Sequence, residues 1–102
     1  MSSKYDAEIT SPAPGSIQLD GMGRIRVRVW AKGIEYPAQV FAGADPDADQ
    51  GPLEATGPNS DDYEGEITVP NGPFTLCAKA EWTKATGEIE SVTRNKGTYT
   101  PQ

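Results

Sequence analysis

Histidine is absent from the chain, and cysteine occurs once, at Cys77. The first absence removes His-dependent catalytic triads, His metal sites and imidazole acid–base relays. The second excludes an internal disulfide and any zinc or iron–sulfur site built on several thiolates. Cys77 itself reads as a free thiol that packs as a small hydrophobe. Basic residues are scarce: 9 Lys and Arg stand against 15 Asp and Glu, giving a net charge of −6 and a pI near 4.5. That balance argues against a nucleic-acid partner. No apolar run approaches ~18 residues, so no membrane insertion is expected. The opening Met1-Ser-Ser-Lys-Tyr-Asp6 has neither an apolar h-region nor a cleavage site, so no signal peptide is expected in it. Helical periodicity is missing as well, because 11 Gly and 9 Pro interrupt any helix longer than a turn or two.

What the sequence does contain is alternation. At 102 residues it is long enough for one domain, and such a chain buries roughly 60–65% of its extended surface. Arg24 to Ala31 puts Ile25, Val27 and Val29 on one face and Arg24, Arg26, Arg28 and Trp30 on the other. Phe74 to Trp82 puts Phe74, Leu76, Ala78, Ala80 and Trp82 on one face, with Thr75, Cys77, Lys79 and Glu81 opposite. Weaker signals surround these two. Ile9 to Leu19, with Pro12 and Pro14, reads as an irregular edge strand, where proline is tolerated. Asp20-Gly-Met-Gly23 reads as a turn. Glu35 to Ala42 reads as a strand, Ile67 to Val69 as a short one, and Thr83 to Gly87 as a hairpin loop with Gly87 at positive φ. Glu88 to Arg94 returns, with a bulge near Ser91 because Val92 breaks the parity set by Ile89. Asn95-Lys-Gly97 bends the chain, and Thr98 to Thr100 forms a last extended piece.

About seven short strands with turn signals every 8–12 residues predict an all-β, two-sheet antiparallel sandwich. In the domain layout residues 1–8 form an N-terminal arm, 9–100 the sandwich, and 43–65 a long acidic loop within it.

Three stretches resemble a known pattern. Ile9-Thr-Ser-Pro-Ala-Pro-Gly-Ser16, Gly23-Arg-Ile-Arg-Val-Arg-Val29 and Ile67-Thr-Val-Pro-Asn-Gly-Pro-Phe-Thr-Leu-Cys-Ala-Lys-Ala-Glu-Trp82 are similar to bacterial and phage immunoglobulin-like (fibronectin-III-like) modules. In that family a Pro-rich entry often opens the first strand, and a late strand alternates aromatic, Leu and Ala. The likeness runs from Ile9 to Arg94. It departs from antibody-type domains in lacking the disulfide and the third-strand Trp. The resemblance implies an immunoglobulin-like sandwich with binding or spacing roles on cell-surface proteins, polysaccharide-degrading enzymes and virions, and it implies no catalysis. A fold alone fixes no function.

Two features bear on chemistry. Between Gly43 and Gly65 stand seven acids (Asp45, Asp47, Asp49, Glu54, Asp61, Asp62, Glu64) and no Lys or Arg. Within it Asp45, Asp47 and Asp49 offer oxygens at alternate residues, as calcium loops do at their start. The pattern then breaks, since Gln50 stands where such a loop needs Gly and Thr56 where it needs Glu. Calcium through these three Asp residues and a solvated acidic loop therefore stand side by side. No other cofactor is expected. The second feature is the row Arg24, Arg26, Arg28 and Trp30. It reads as a ligand- or partner-binding strip for an anion or sugar, with Trp30 as stacking platform. It reads also as cross-strand pairing with Glu64 and Glu66, or as an interface to another subunit, including the acidic loop of a second copy.

Carboxylate pairs for glycoside hydrolysis have no distinguishing spacing, and Gly21-Met-Gly23 lacks the helix a phosphate loop requires. Catalysis is not expected. The expected function is a structural or interaction module on a virion (decoration, capsid-stabilising or fibre component) or an extracellular surface, its partners being other protein subunits. The alternative is a carbohydrate-binding module that holds polysaccharide through Trp30 and its neighbours.

Overall fold

The computed structural model describes residues 5–33, 39–45, 47–58 and 60–102. The two alternating stretches form its central strands. Arg24–Lys32 is β3 and Phe74–Thr83 is β7; burial alternates as the sequence does throughout β3, and in β7 everywhere except at Cys77, which is buried on the outward parity. Around them lie β1 (Asp6–Ser11), β2 (Gly15–Ile17), β4 (Gln39–Ala44), β5 (Glu54–Ala55), β6 (Asp62–Thr68) and β8 (Ile89–Pro101). One sheet has the order β1-β3-β6-β5, the other β2-β8-β7-β4. All neighbours are antiparallel except β2 and β8, which run parallel. The eight strands, against about seven expected, make an all-β sandwich. An immunoglobulin sandwich sets its first, second, fifth and fourth strands in one sheet and its third, sixth and seventh in the other. Taking β1 and β2 as a divided first strand, this chain has that order.

Val27, Val29, Ala31 and Ile67 of the first sheet share one buried cluster with Val40, Leu76, Ala78, Ala80 and Trp82 of the second. Trp82 is fully buried, and Tyr5 packs against it at 5.1 Å between ring centroids. At the other end Phe74 stacks on Tyr99 at 5.7 Å. The Tyr99 hydroxyl donates to the Pro12 carbonyl, 2.5 Å away. No polar or charged residue is buried among the described residues. A core so dry places the burden of polar satisfaction on the strand ladders and their edges.

Both open sides of the sandwich are closed by side chains. On one side Gln50 pairs backbone to backbone with Ala42 of β4. Its side-chain amide then accepts from the Thr68 N–H at 2.7 Å and donates to the Thr68 carbonyl at 2.6 Å. The amide imitates a missing strand beside β6 while the backbone continues the other sheet. On the opposite side Arg94 of β8 reaches Asp6 of β1 at 2.8 Å, and Lys96 reaches Glu8 at 3.8 Å. The constant sequence offset of the two pairs means that β1 and β8 run side by side in the same direction.

The structure revises several strand boundaries. The edge strand expected over Ile9–Leu19 is two strands in different sheets. Pro12 and Pro14 lack the N–H a ladder needs, so the chain changes sheets there. The expected N-terminal arm over 1–8 is partly strand, because Asp6 to Glu8 open β1 and Tyr5 and Ala7 enter the core. The expected acidic loop over 43–65 contains the end of β4, all of β5 and the start of β6. In β6, Tyr63, Gly65 and Ile67 face inward, and Gly65 leaves room for Leu53, whose Cδ2 would stand 2.8 Å from an added Cβ. The bulge lies at Lys96 and not near Ser91, so the last two expected pieces are one strand. Val92 is buried and Ile89 exposed, which removes the parity conflict. Gly87 has φ 89°, as the hairpin reading required. Residues 35–38 of the third expected strand lie outside the described residues.

Gln50→Ala removes two hydrogen bonds and leaves the Thr68 backbone without partners. The expected loss is about 1–2 kcal/mol, read from urea unfolding midpoints. An unchanged midpoint contradicts the bridging role of Gln50.

Candidate functional site

Strand β3 crosses the middle of the first sheet, so its outward residues form a row flanked by β1 and β6. Arg24, Arg26, Arg28 and Trp30 share that outer face, as their alternation with Ile25, Val27 and Val29 requires. The register sets Arg26 opposite Glu66, Arg28 opposite Glu64, and Trp30 opposite Asp62 on one side and Glu8 on the other. Glu64 lies between the two central arginines. Its Oε2 accepts from Arg26 at 3.1 Å, and its Oε1 accepts from Arg28 Nε at 2.8 Å and Nη2 at 2.7 Å. Glu66 makes no ion pair among the described residues. Arg24 turns the other way, to Asp20 at 3.2 Å.

The same contacts hold two carboxyls below their ordinary range. For Glu64 the hydrogen bond from Arg26 is the largest cause, followed by that from Arg28 and the charges of both, while partial desolvation opposes them. For Asp20 the backbone N–H groups of Arg24 and Met22 come first, at 2.9 and 2.8 Å. These bonds also build the Asp20–Gly23 turn that launches β3.

Ion pairing is general. Every described lysine and arginine (Arg24, Arg26, Arg28, Lys32, Lys79, Lys84, Arg94, Lys96) has a carboxylate partner in the same chain. Asp45, Asp47, Asp49, Glu54, Asp62, Glu66 and Glu88 have none among the described residues. Unmatched charge on this part of the surface is therefore negative, and most of it lies along 45–66. Each guanidinium of the arginine row has a carboxylate of the same chain as partner, and Arg26 and Arg28 remain 64% and 45% exposed beside Glu64.

Asp45, Asp47 and Asp49 lie where the chain leaves β4 and doubles back toward Gln50. The Asp45 N–H donates to the Thr75 carbonyl at 2.8 Å and the Asp47 N–H to the Ala44 carbonyl at 2.8 Å. This return brings the Asp47 carbonyl over Gly43, where a Cβ would collide with it. It also accounts for Cys77. That residue sits beside Gly43 on the outward parity, yet it is fully buried and free. Burial and then the Asp45 charge push its thiol pKa up, which keeps it protonated and unreactive at neutral pH. Among the described residues no three His, Cys, Asp or Glu side chains converge to hold a metal ion. Among the described residues no helix is long and apolar enough to cross a membrane.

Sequence reasoning identified the arginine row and its Glu64 partner but missed Glu8 and Asp62 beside Trp30. Asp62 carried a usable signal: it alternates with inward Tyr63, Gly65 and Ile67.

No protein-family model matches the chain, and no curated protein does. Among solved structures, the crystal structure of the titin M3 domain is similar, with a TM-score of 0.48 and 18% identity over 94% of this chain and 96% of that one. The strand order of the two sheets is that of an immunoglobulin sandwich.

Glu64 contributes stability that is fully present above its unfolded-state pKa near 4.5 and is lost as pH falls through the lower folded-state value. Glu64→Gln is therefore expected to lower the urea midpoint at pH 7, with the gap to the parent protein closing toward pH 3. A gap that widens on acidification contradicts the pairing. Melting with calcium and with EDTA is expected to give one midpoint, because a native-state ligand would raise it. A calcium-dependent rise contradicts this and supports Asp45, Asp47 and Asp49 as ligands.

Proposed function

We propose that the chain is a non-catalytic structural and interaction module that works inside a larger assembly, on a virion or a cell surface. The observation that carries this reading is the disposition of charge. The described cations hold strands and turns of the same chain together, and the unmatched carboxylates face outward. Such a surface steers a basic neighbour toward itself and repels acidic ones. The polar side chains with the most demanding geometry, Gln50, Glu64 and Arg94, serve the architecture. The likeness of the Pro-rich entry and the aromatic–Leu–Ala strand to bacterial and phage immunoglobulin-like modules points to the same class.

A carbohydrate-binding role is the second reading, and the outward, half-exposed Trp30 favours it. Its weakness is the commitment of Arg26 and Arg28 to Glu64, which leaves fewer donors for sugar hydroxyls.

The assembly reading is tested by affinity capture from the native source at low and high salt, with light scattering of the purified chain. The expected result is co-purification with a defined basic protein, released by salt. Recovery of the chain alone at every salt concentration, together with strong retention on insoluble polysaccharide, overturns it in favour of the second reading.

A further inference from the structure

Trp30 has a carboxylate opposite it on each neighbouring strand. Glu8 on β1 and Asp62 on β6 pair with it in register and on the same outer face. Directly opposed residues on antiparallel strands have Cβ atoms about 4.5–5.5 Å apart, so both acids border the indole. The Glu8 side chain is 63% exposed, and its only ion pair among the described residues is the long one to Lys96 at 3.8 Å. Asp62 makes none. The cations that flank Trp30 on its own strand are engaged elsewhere: Arg28 lies on Glu64 at 2.7 Å and Lys32 on Asp61 at 3.5 Å. The cation that does lie over an aromatic ring is Lys84, 5.9 Å from the centre of Tyr5. Among the described residues no cation of the chain occupies the face of Trp30.

We propose that Trp30, Glu8 and Asp62 form a docking site for a lysine or arginine side chain presented by a partner protein. An indole face attracts a cation through its quadrupole, and Trp is the strongest aromatic acceptor. Two carboxylates beside the ring supply the charge and hydrogen-bond acceptors that such a head group needs. The site deepens the reading of the chain as an interaction module, and rests on it, by naming the chemistry of the partner. A second copy fits poorly, because its described cations are already paired. An acidic partner is repelled.

The test uses the full chain and a fluorescein-labelled hexalysine peptide, with binding read by fluorescence anisotropy at low salt. Saturable binding is expected, weakened as NaCl rises from about 20 to about 300 mM. Trp30→Leu, and separately the pair Glu8→Gln with Asp62→Asn, are each expected to weaken binding by about threefold or more. The pair Asp47→Asn with Asp49→Asn removes as much charge at a distance and is expected to change it less than about twofold. The acid pair lies on the outer face, so its effect is readable even if Trp30→Leu unfolds the chain. Three results overturn the proposal: no binding at low salt, equal losses from the two charge-neutralised pairs, or displacement of the peptide by a neutral oligosaccharide independently of salt. Any of these leaves the module reading standing, since that is decided by co-purification.

Discussion

The structure depends on one constraint: every strand longer than two residues gives buried side chains to one core, in which no polar or charged residue stands among the described residues. Val27 and Leu76, from the two central strands, are buried to 1% and 0% exposure in the same cluster. Burial of alternate residues supplies the driving force, and it dictates where everything else goes. Backbone groups are met by the ladders within each sheet. At the two open sides, where no strand is available, side chains complete the work. Gln50 stands in for a peptide group beside Thr68, Arg94 and Lys96 reach across to β1, and the Tyr99 hydroxyl closes on the Pro12 carbonyl.

The same constraint shapes the surface. With the inner faces apolar, all charge is forced onto outer faces and edges, and cross-strand register decides which charges meet. The register that sets β3 against β6 joins Arg28 and Arg26 to Glu64. It also leaves Trp30 between two acids, one unpaired and one weakly paired. The described cations are consumed in this way, so an acidic composition becomes an outward-facing acidic field. The functional reading follows from that field more than from any single residue.

The two strongest strands and the sandwich were legible because β3 alternates without interruption and β7 does so apart from Cys77. The charged row on β3 was legible for the same reason, and so was a partner in Glu64. Other elements were hidden by residues whose burial depends on a neighbour. Gly65 has no side chain to mark an inward position, so the start of β6 reads as acidic loop and only Ile67 to Val69 as strand; Leu53 fills the space beside Gly65. Tyr5 and Ala7 stand among charged residues, which disguised the start of β1. Pro12 and Pro14 mark an edge, as β1 and β2 both are, but nothing local tells that the chain crosses to the other sheet between them. The role of Gln50 was invisible, because its partners Ala42 and Thr68 are close only after both sheets have formed. Cys77 was read as a free, packed thiol, although what buries it is the return of the Asp45–Asp49 segment.

Native-state amide hydrogen exchange tests the single-core account most directly. The N–H groups of Val27 and Val29 in one sheet and of Leu76 and Ala78 in the other should open together, with one free energy equal to that of global unfolding. Two distinct opening energies, one for each sheet, or rapid exchange at Val27 and Leu76, would contradict it.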